Sequence, residues 1–382
     1  MALALTVASL ALGTLIGEMV TARGDFYKYL GIFSDVLTII RKDYVDNVGI
    51  EYVIEGANRG LLSGLDPQSA FLTKEELIEF KKIREDSEAE PGLECLKAYG
   101  YPIVLSVYKG SSAEKAGIVP GDQILSIDGK STRDLSILQC RKMMGGRAGT
   151  DVALSVIKVK TFSKANVTLK REKMTHSGYE LTSQNNKIAY LKIYDLGTLE
   201  PPSLMASLKN IEKRASALLM DLRNCTSDDY EKVSLLASLF IERGPVLMLE
   251  KKGLKTSPVE FSREGFLWKK QMYVLINSGT AGALEGFALS LKEEVSAKVI
   301  GEKSYGMGLE PELITLEDGS GIILSTSRYI TADGTSWNKI GVDPSFEIKS
   351  EAADFEKQEE EQLKKAFEFI TQDIASRVKK AA

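Results

Sequence analysis

The sequence predicts an α/β protein in successive parts: N-terminal helices, an inserted β-rich module with two helices, and a larger core of strands alternating with helices. Three observations carry this. Apolar residues recur at helical spacing over 25–45. Short β-branched runs separated by glycine turns fill 88–171. From Lys187 onward, buried-looking strands alternate with amphipathic stretches. The 382 residues suffice for two or three domains, and a composition of 27% charged and 43% hydrophobic residues is that of a globular protein. The expected boundaries are 1–22, 23–87, 88–171, 172–350 and 351–382.

Residues 1–17 carry no charge, and the first ionisable side chain is Glu18. A run of this length sits at the short edge of what spans a bilayer, and it lacks the basic flank of a signal peptide. An uncleaved membrane anchor is the first reading, a cleaved signal the second and a buried helix the third. Tyr27, Leu30, Phe33, Val36, Ile39 and Ile40 then define an amphipathic helix. A second helix is expected over Val53–Leu62, a turn over Gly64–Leu72 and a third helix over Lys74–Ile83. The net charge of −4, without a basic block, argues against nucleic acid. Cys95, Cys140 and Cys225 form no disulfide framework or metal spacing, and the single histidine, His176, reads as a loop residue. No cofactor or metal is expected.

Tyr101–Val107 is a strand by its apolar content. Ser111–Gly117 is a short helix, and Ile118–Gly129 combines glycine turns with a strand and the hairpin signal Asp128-Gly129. Leu135–Met144 is a second helix and Asp151–Lys158 a closing strand. This order resembles a PDZ domain. PDZ domains bind peptides by strand addition, with a backbone nest for the terminal carboxylate. The resemblance places that site at Gly92, Leu93, Glu94 and Leu135. Glu94 sets a negative charge where the carboxylate would dock, which weakens the binding case; the alternative is a PDZ fold that packs within the protein and binds nothing.

In the core, strands are expected over Ile188–Ile193, Ala217–Arg223, Met272–Asn277, Ala297–Gly301, Gly321–Tyr329 and Pro344–Ile348. Helices are expected over Pro202–Arg214 and Glu231–Ile241, and over 351–382 with a stripe at Leu363, Phe367, Ile370, Ile374 and Val378. The segment from Asn277 to Glu285 and the run Gly301-Glu302-Lys303-Ser304-Tyr305-Gly306 resemble the two active-site motifs of the C-terminal processing peptidases. These are serine proteases with a Ser–Lys dyad, and their motifs typically read N-x-G-S-A-S-A-S-E and G-E-K-T-F-G-K-G. The likeness covers about residues 25–350 and implies a ClpP/crotonase-like α/β protease core.

In that family the nucleophile falls at Gly282 and the base at Met307, 25 positions apart as the family requires. Glycine has no side chain and a thioether takes no proton near neutral pH. The family's orienting glutamine is Pro311. Its D-L-R-N-N-P-G-G segment, which supplies an oxyanion donor, matches at Asp221–Asn224 and then departs to Cys225, Thr226, Ser227 and Asp228, where a carboxylate would oppose a developing oxyanion. Ser278 and Lys303 have the same spacing of 25 and are the fallback dyad. Thr280 lacks a base at Met307, and Cys225 is a poor thiolate beside Asp228 and Asp229.

The resemblance therefore implies a catalytically inactive member, acting as a non-catalytic protein-binding or scaffold subunit. The alternative is an active endopeptidase using Ser278 and Lys303 on unfolded or C-terminal polypeptide segments. The expected partners are a polypeptide, an active paralogue or an envelope complex, or a second copy of the chain. The expected place is the cell envelope, anchored in the inner membrane and facing the periplasm or extracytoplasmic space.

Overall fold

The computed structural model describes residues 27–86, 89–98, 100–108, 110–173, 178–184, 187–242, 245–254, 256–259, 268–352 and 355–381. The expected membrane segment and His176 lie outside these residues. Among the described residues no helix is long and apolar enough to cross a membrane.

Two compact units are present, Met1–Leu61 and Leu62–Ala382. The first holds helix α1 (27–43) and most of α2 (Ile50–Ser63). The stripe Tyr27, Leu30, Phe33, Val36 and Ile39 is helical, as its spacing predicts, and it is exposed. An Arg59–Glu55 pair at 2.6 Å braces α2 one turn apart.

The second unit opens with β1 (Ala70–Leu72) and α3 (Lys74–Asp86). Asp66 accepts the N–H groups of Gln68 and Ser69, both at 2.9 Å, and so folds the turn before β1. The sequence reading ran this turn through Leu72. Instead Ala70–Leu72 pairs antiparallel with a later strand, because all three side chains are buried.

The β-rich module comprises β2 (Leu93–Ala98), β3 (Tyr101–Val107), α4 (Ser112–Lys115), β4 (Gln123–Ile127), β5 (Lys130–Ser131), α5 (Ile137–Met144), β6 (Asp151–Ile157) and β7 (Lys164–Lys170). Its sheet runs β2-β3-β4-β6-β7, with β5 hairpinned onto β4. That hairpin turns at Asp128 and Gly129, with φ of 49° and 79°, the left-handed pair such a turn needs. Ser136 and Gln139 form a reciprocal cap that starts α5.

The core continues with β8 (Tyr179–Gln184), β9 (Ile188–Ile193), α6 (Pro201–Glu212), β10 (Ala217–Asp221), β11 (Thr226–Ser227), α7 (Tyr230–Ala237), β12 (Leu247–Lys251), β13 (Ser257–Val259), β14 (Gln271–Ile276), β15 (Ala281–Gly282), α8 (Ala283–Glu294), β16 (Lys298–Gly301), β17 (Leu309–Thr315), β18 (Gly321–Thr331), β19 (Phe346–Glu347) and α9 (Phe355–Ala381). The main sheet runs β19-β16-β14-β10-β9-β8, parallel except for β8. Its inner strands β10, β14 and β16 are buried on both faces, which explains their nearly unbroken apolar sequence, whereas the edge strands β8 and β19 are largely exposed. Leu218, Met220 and Val274 face a core shared with α6, α7 and α8. Ala217, Leu219, Tyr273 and Leu275 face α9, whose Ala366 and Ile370 are buried against them. Leu363, Phe367 and Ile374 of the predicted stripe pack there too, whereas the Val378 side chain lies outside the described set. A second sheet, β1-β18-β12-β13 with β17 on β18, packs beside α8.

Truncating Ile370 to Ala opens a cavity under the main sheet. It is expected to cost about 2–5 kcal/mol, read as a fall in the urea midpoint without a change in slope.

Candidate functional site

The end of β14 delivers the chain into a tight turn. The Asn277 side chain accepts the N–H groups of Asn224 and Gly279, each at 3.0 Å, and donates to the Asn224 Oδ1 at 2.8 Å. Thr280 is fully buried, and its hydroxyl donates to the Leu222 carbonyl at 2.9 Å. A Cβ at Gly279 would stand 2.5 Å from Asn224 Oδ1, so only glycine permits this interlock. Ala281 and Gly282 then pair in parallel with Thr226 and Ser227 as the two-stranded ribbon β15-β11.

That ribbon closes the position where the resemblance puts a nucleophile. Gly282 has φ of +71°, and a Cβ built on it would lie 2.1 Å from the Ser227 carbonyl oxygen and 3.3 Å from Met307 Cε. No side chain fits without moving backbone. The N–H of Ala281 donates to the Cys225 carbonyl at 3.2 Å and that of Gly282 to Glu285 at 3.0 Å. Both of these N–H groups are thus committed inside the fold.

Glu285, in the first turn of α8, is fully buried. One carboxylate oxygen accepts the Ser304 hydroxyl at 2.5 Å and the Gly306 N–H at 2.6 Å; the other accepts the N–H groups of Gly282 at 3.0 Å and Met307 at 2.7 Å. Burial pushes its pKa up to about 7, and these four donors pull against that rise. Met307 itself is buried with Leu96 and Ala281, flanked by Leu105 and Tyr305. Its carbonyl accepts the Trp337 indole N–H at 3.2 Å. Where the family places an amine and a hydroxyl, this chain has a small apolar core.

Leu96 belongs to β2, so the β-rich module meets this site directly. Arg141 of α5 donates to Asp228 at 2.6 Å, to the Thr226 hydroxyl at 2.6 Å and to the Cys95 carbonyl at 3.2 Å. Burial opposes its charge, but Asp228 and Glu94 hold its pKa above the usual arginine value. The expectation that Asp228 points an opposing charge at an oxyanion pocket is therefore corrected: the carboxylate is paired with Arg141. Sequence reasoning missed Arg141, because nothing local links a helix of one module to a loop 87 residues later.

Of the residues assigned to peptide binding, Leu93 and Leu135 are buried in the module's own core. Gly92 has φ of +83° and accepts the Tyr108 N–H at 3.0 Å. Glu94 accepts the Tyr108 hydroxyl at 2.8 Å and the Thr226 hydroxyl at 3.3 Å. β2 is the edge strand where a peptide would add, yet its Cys95 carbonyl is taken by Arg141 and its Lys97 carbonyl by the Tyr305 hydroxyl at 2.7 Å.

Lys303 pairs with Asp343 at 3.1 Å at the surface, and Ser278 is exposed. No hydrogen bond joins Ser278 to Lys303 among the described residues. The Cys225 thiol is pushed up by burial first and by Glu94 second, and it donates to the Tyr194 carbonyl at 3.2 Å. Pro311 sits at a bulge where β17 shifts register on β18. Asp221 and Arg223, matched to the family's segment, are structural. Arg223 binds Asp221 at 2.7 Å and reaches α9 at the Glu359 carbonyl, 2.8 Å away. Burial works against the Asp221 charge, but Arg223 and Lys192 hold its pKa well below the ordinary range. No group of His, Cys, Asp and Glu able to hold a metal occurs among the described residues.

The fold and site define a peptidase core with a PDZ module. Residues 187–348 match peptidase family S41, and residues 103–158 match the PDZ domain. The chain carries both domains and is homologous to the carboxy-terminal processing proteases. It is 28% identical over 321 residues to the carboxy-terminal processing protease CtpA of Bacillus subtilis, covering 83% of this chain and 68% of that protein. It is 28% identical over 327 residues to a probable CtpA-like serine protease of Staphylococcus aureus, covering 84% of this chain and 64% of that one. The chain thus spans about two thirds of the length of these relatives. Among solved structures it shares its fold with a photosystem II D1 C-terminal processing protease, at a TM-score of 0.60 and 23% identity, covering 82% of this chain and 86% of that one.

Two measurements probe the closure. Gly282→Ala forces a methyl into the Ser227 carbonyl at a left-handed φ and is expected to cost about 2–4 kcal/mol in denaturant unfolding. The Glu285 carboxyl keeps its proton to about pH 7 when folded but loses it near 4.5 when unfolded. The native state then binds more protons in that window, so stability falls as pH rises through it. The stability difference between the unsubstituted protein and Glu285→Gln should shrink from pH 4.5 to 7.

Proposed function

We propose that this chain is a non-catalytic member of the processing-protease family, a polypeptide-binding or scaffold subunit rather than a hydrolase. One observation supports this above all. The nucleophile position is a glycine whose missing Cβ would overlap the Ser227 carbonyl at 2.1 Å, with Met307 where a base would stand. Peptide hydrolysis by this family's route needs an oxygen nucleophile and a proton acceptor at those places. The uncharged run at 1–17 supports a membrane-anchored, extracytoplasmic setting. There the body would associate with an active paralogue, an envelope complex or a second copy of itself.

The experiment is incubation of the purified protein with an unfolded polypeptide, with fragments followed by mass spectrometry. The expected result is no cleavage, with the same outcome for Gly282→Ser combined with Met307→Lys, since the Ser227 carbonyl still occupies the space the serine needs. Cleavage abolished by Ser278→Ala or Lys303→Ala would overturn the proposal in favour of a working endopeptidase with a displaced dyad.

A further inference from the structure

A cleft of about 1280 Å³ lies between the PDZ module and the protease core, bordered by β2, α5, α7 and the strands of the second sheet. It exceeds the roughly 300–1,000 Å³ of clefts that hold small ligands. Part of its wall is apolar, with Leu93, Leu196, Val259 and Leu313, and the stacked rings of Tyr230 and Tyr329 border it. Its charge is one-sided. Glu90, Glu94, Asp195, Asp229, Glu231 and Glu310 line it, and none of the six forms an ion pair among the described residues. Of the two cations in the lining, Arg141 is spent on Asp228.

Burial pushes Glu94 up to about 7; Arg141 draws it down, and Glu90 and Asp195 add to the rise, so Glu94 is partly protonated near neutral pH and the negative charge of the cleft rests on the other carboxylates. A cleft that concentrates negative charge between low-dielectric walls attracts cations and repels anions. The strand edge by which a PDZ module captures a free C-terminus is meanwhile covered, at Cys95 by Arg141 and at Lys97 by Tyr305.

We propose that this cleft binds a polypeptide segment carrying lysine or arginine side chains between apolar residues, and that it disfavours a free terminal carboxylate. The proposal rests on the binding-subunit reading above and names its ligand class. The size suits an extended chain rather than a metabolite. The apolar wall takes aliphatic side chains, and the carboxylates take the cationic ones between them. Specificity comes from charge as much as from area, so binding weakens with salt.

The test uses labelled decapeptides of alternating Lys–Leu, Ser–Leu and Glu–Leu, each with an amidated or a free C-terminus, titrated by fluorescence anisotropy against the full chain. The expected order is Lys–Leu tightest, Ser–Leu weaker and Glu–Leu without measurable binding, with the amide favoured over the free terminus. Glu90→Gln combined with Glu231→Gln, both exposed, should weaken Lys–Leu about 5-fold or more, at roughly 1 kcal/mol, and leave the melting temperature unchanged. Equal binding of Lys–Leu and Glu–Leu, no binding of any peptide, or indifference to the double substitution would overturn the inference. The same mixtures are checked for fragments. Cleavage of a bound Lys–Leu peptide would sink the non-catalytic reading while upholding the charge selectivity, so the two failures are told apart.

Discussion

The site is organised by one buried carboxylate. Glu285 gathers the N–H of Gly282, the hydroxyl of Ser304 and the N–H groups of Gly306 and Met307 onto its two oxygens. It thereby ties the turn after β14 to the loop after β16. Removing it would leave four buried donors unsatisfied, each at a cost of about 1–3 kcal/mol. With those loops fixed, β15 lies close enough to β11 to pair with it, and Met307 lies against Ala281 and Leu96. The knot is made of backbone groups, the Ser304 hydroxyl and a glutamate, so it holds these loops without any side chain at position 282.

The knot also fixes where the PDZ module meets the core. Leu96 enters the small apolar cluster at Met307, Tyr305 reaches the Lys97 carbonyl, and Arg141 spans from α5 to Asp228 and Thr226. Lysine at 307 would set an ammonium against Leu96, a contact that methionine makes favourable. Met307 thus helps to join the PDZ module to the core. What remains open is the acidic cleft beside this contact.

Much of this was legible in the sequence. The parallel strands announced themselves as unbroken apolar runs, and the α9 stripe at Leu363, Phe367 and Ile370 read correctly as a docking face. Asp128-Gly129 gave the hairpin. β1 was missed because three apolar residues after a turn carry no periodicity; only their partner β18 makes them a strand. Gly282 and Met307 were singled out by the resemblance to the family's two motifs, but their meeting in one apolar cluster with Leu96 needed the fold. The role of Asp228 was misread because its partner Arg141 is distant in sequence. The plugging of β2 was invisible for the same reason: a carbonyl's partner across a domain contact leaves no local trace.

The central claim is that the region around Gly282 and Met307 is a sealed, rigid part of the core. Native-state hydrogen exchange at the amides of Gly282, Gly306 and Met307 tests it most directly, since all three donate to Glu285. The account predicts exchange as slow as that of the β10 and β14 amides, governed by global unfolding. Exchange as fast as in surface turns would mean that the cleft opens in the native state, and would contradict it.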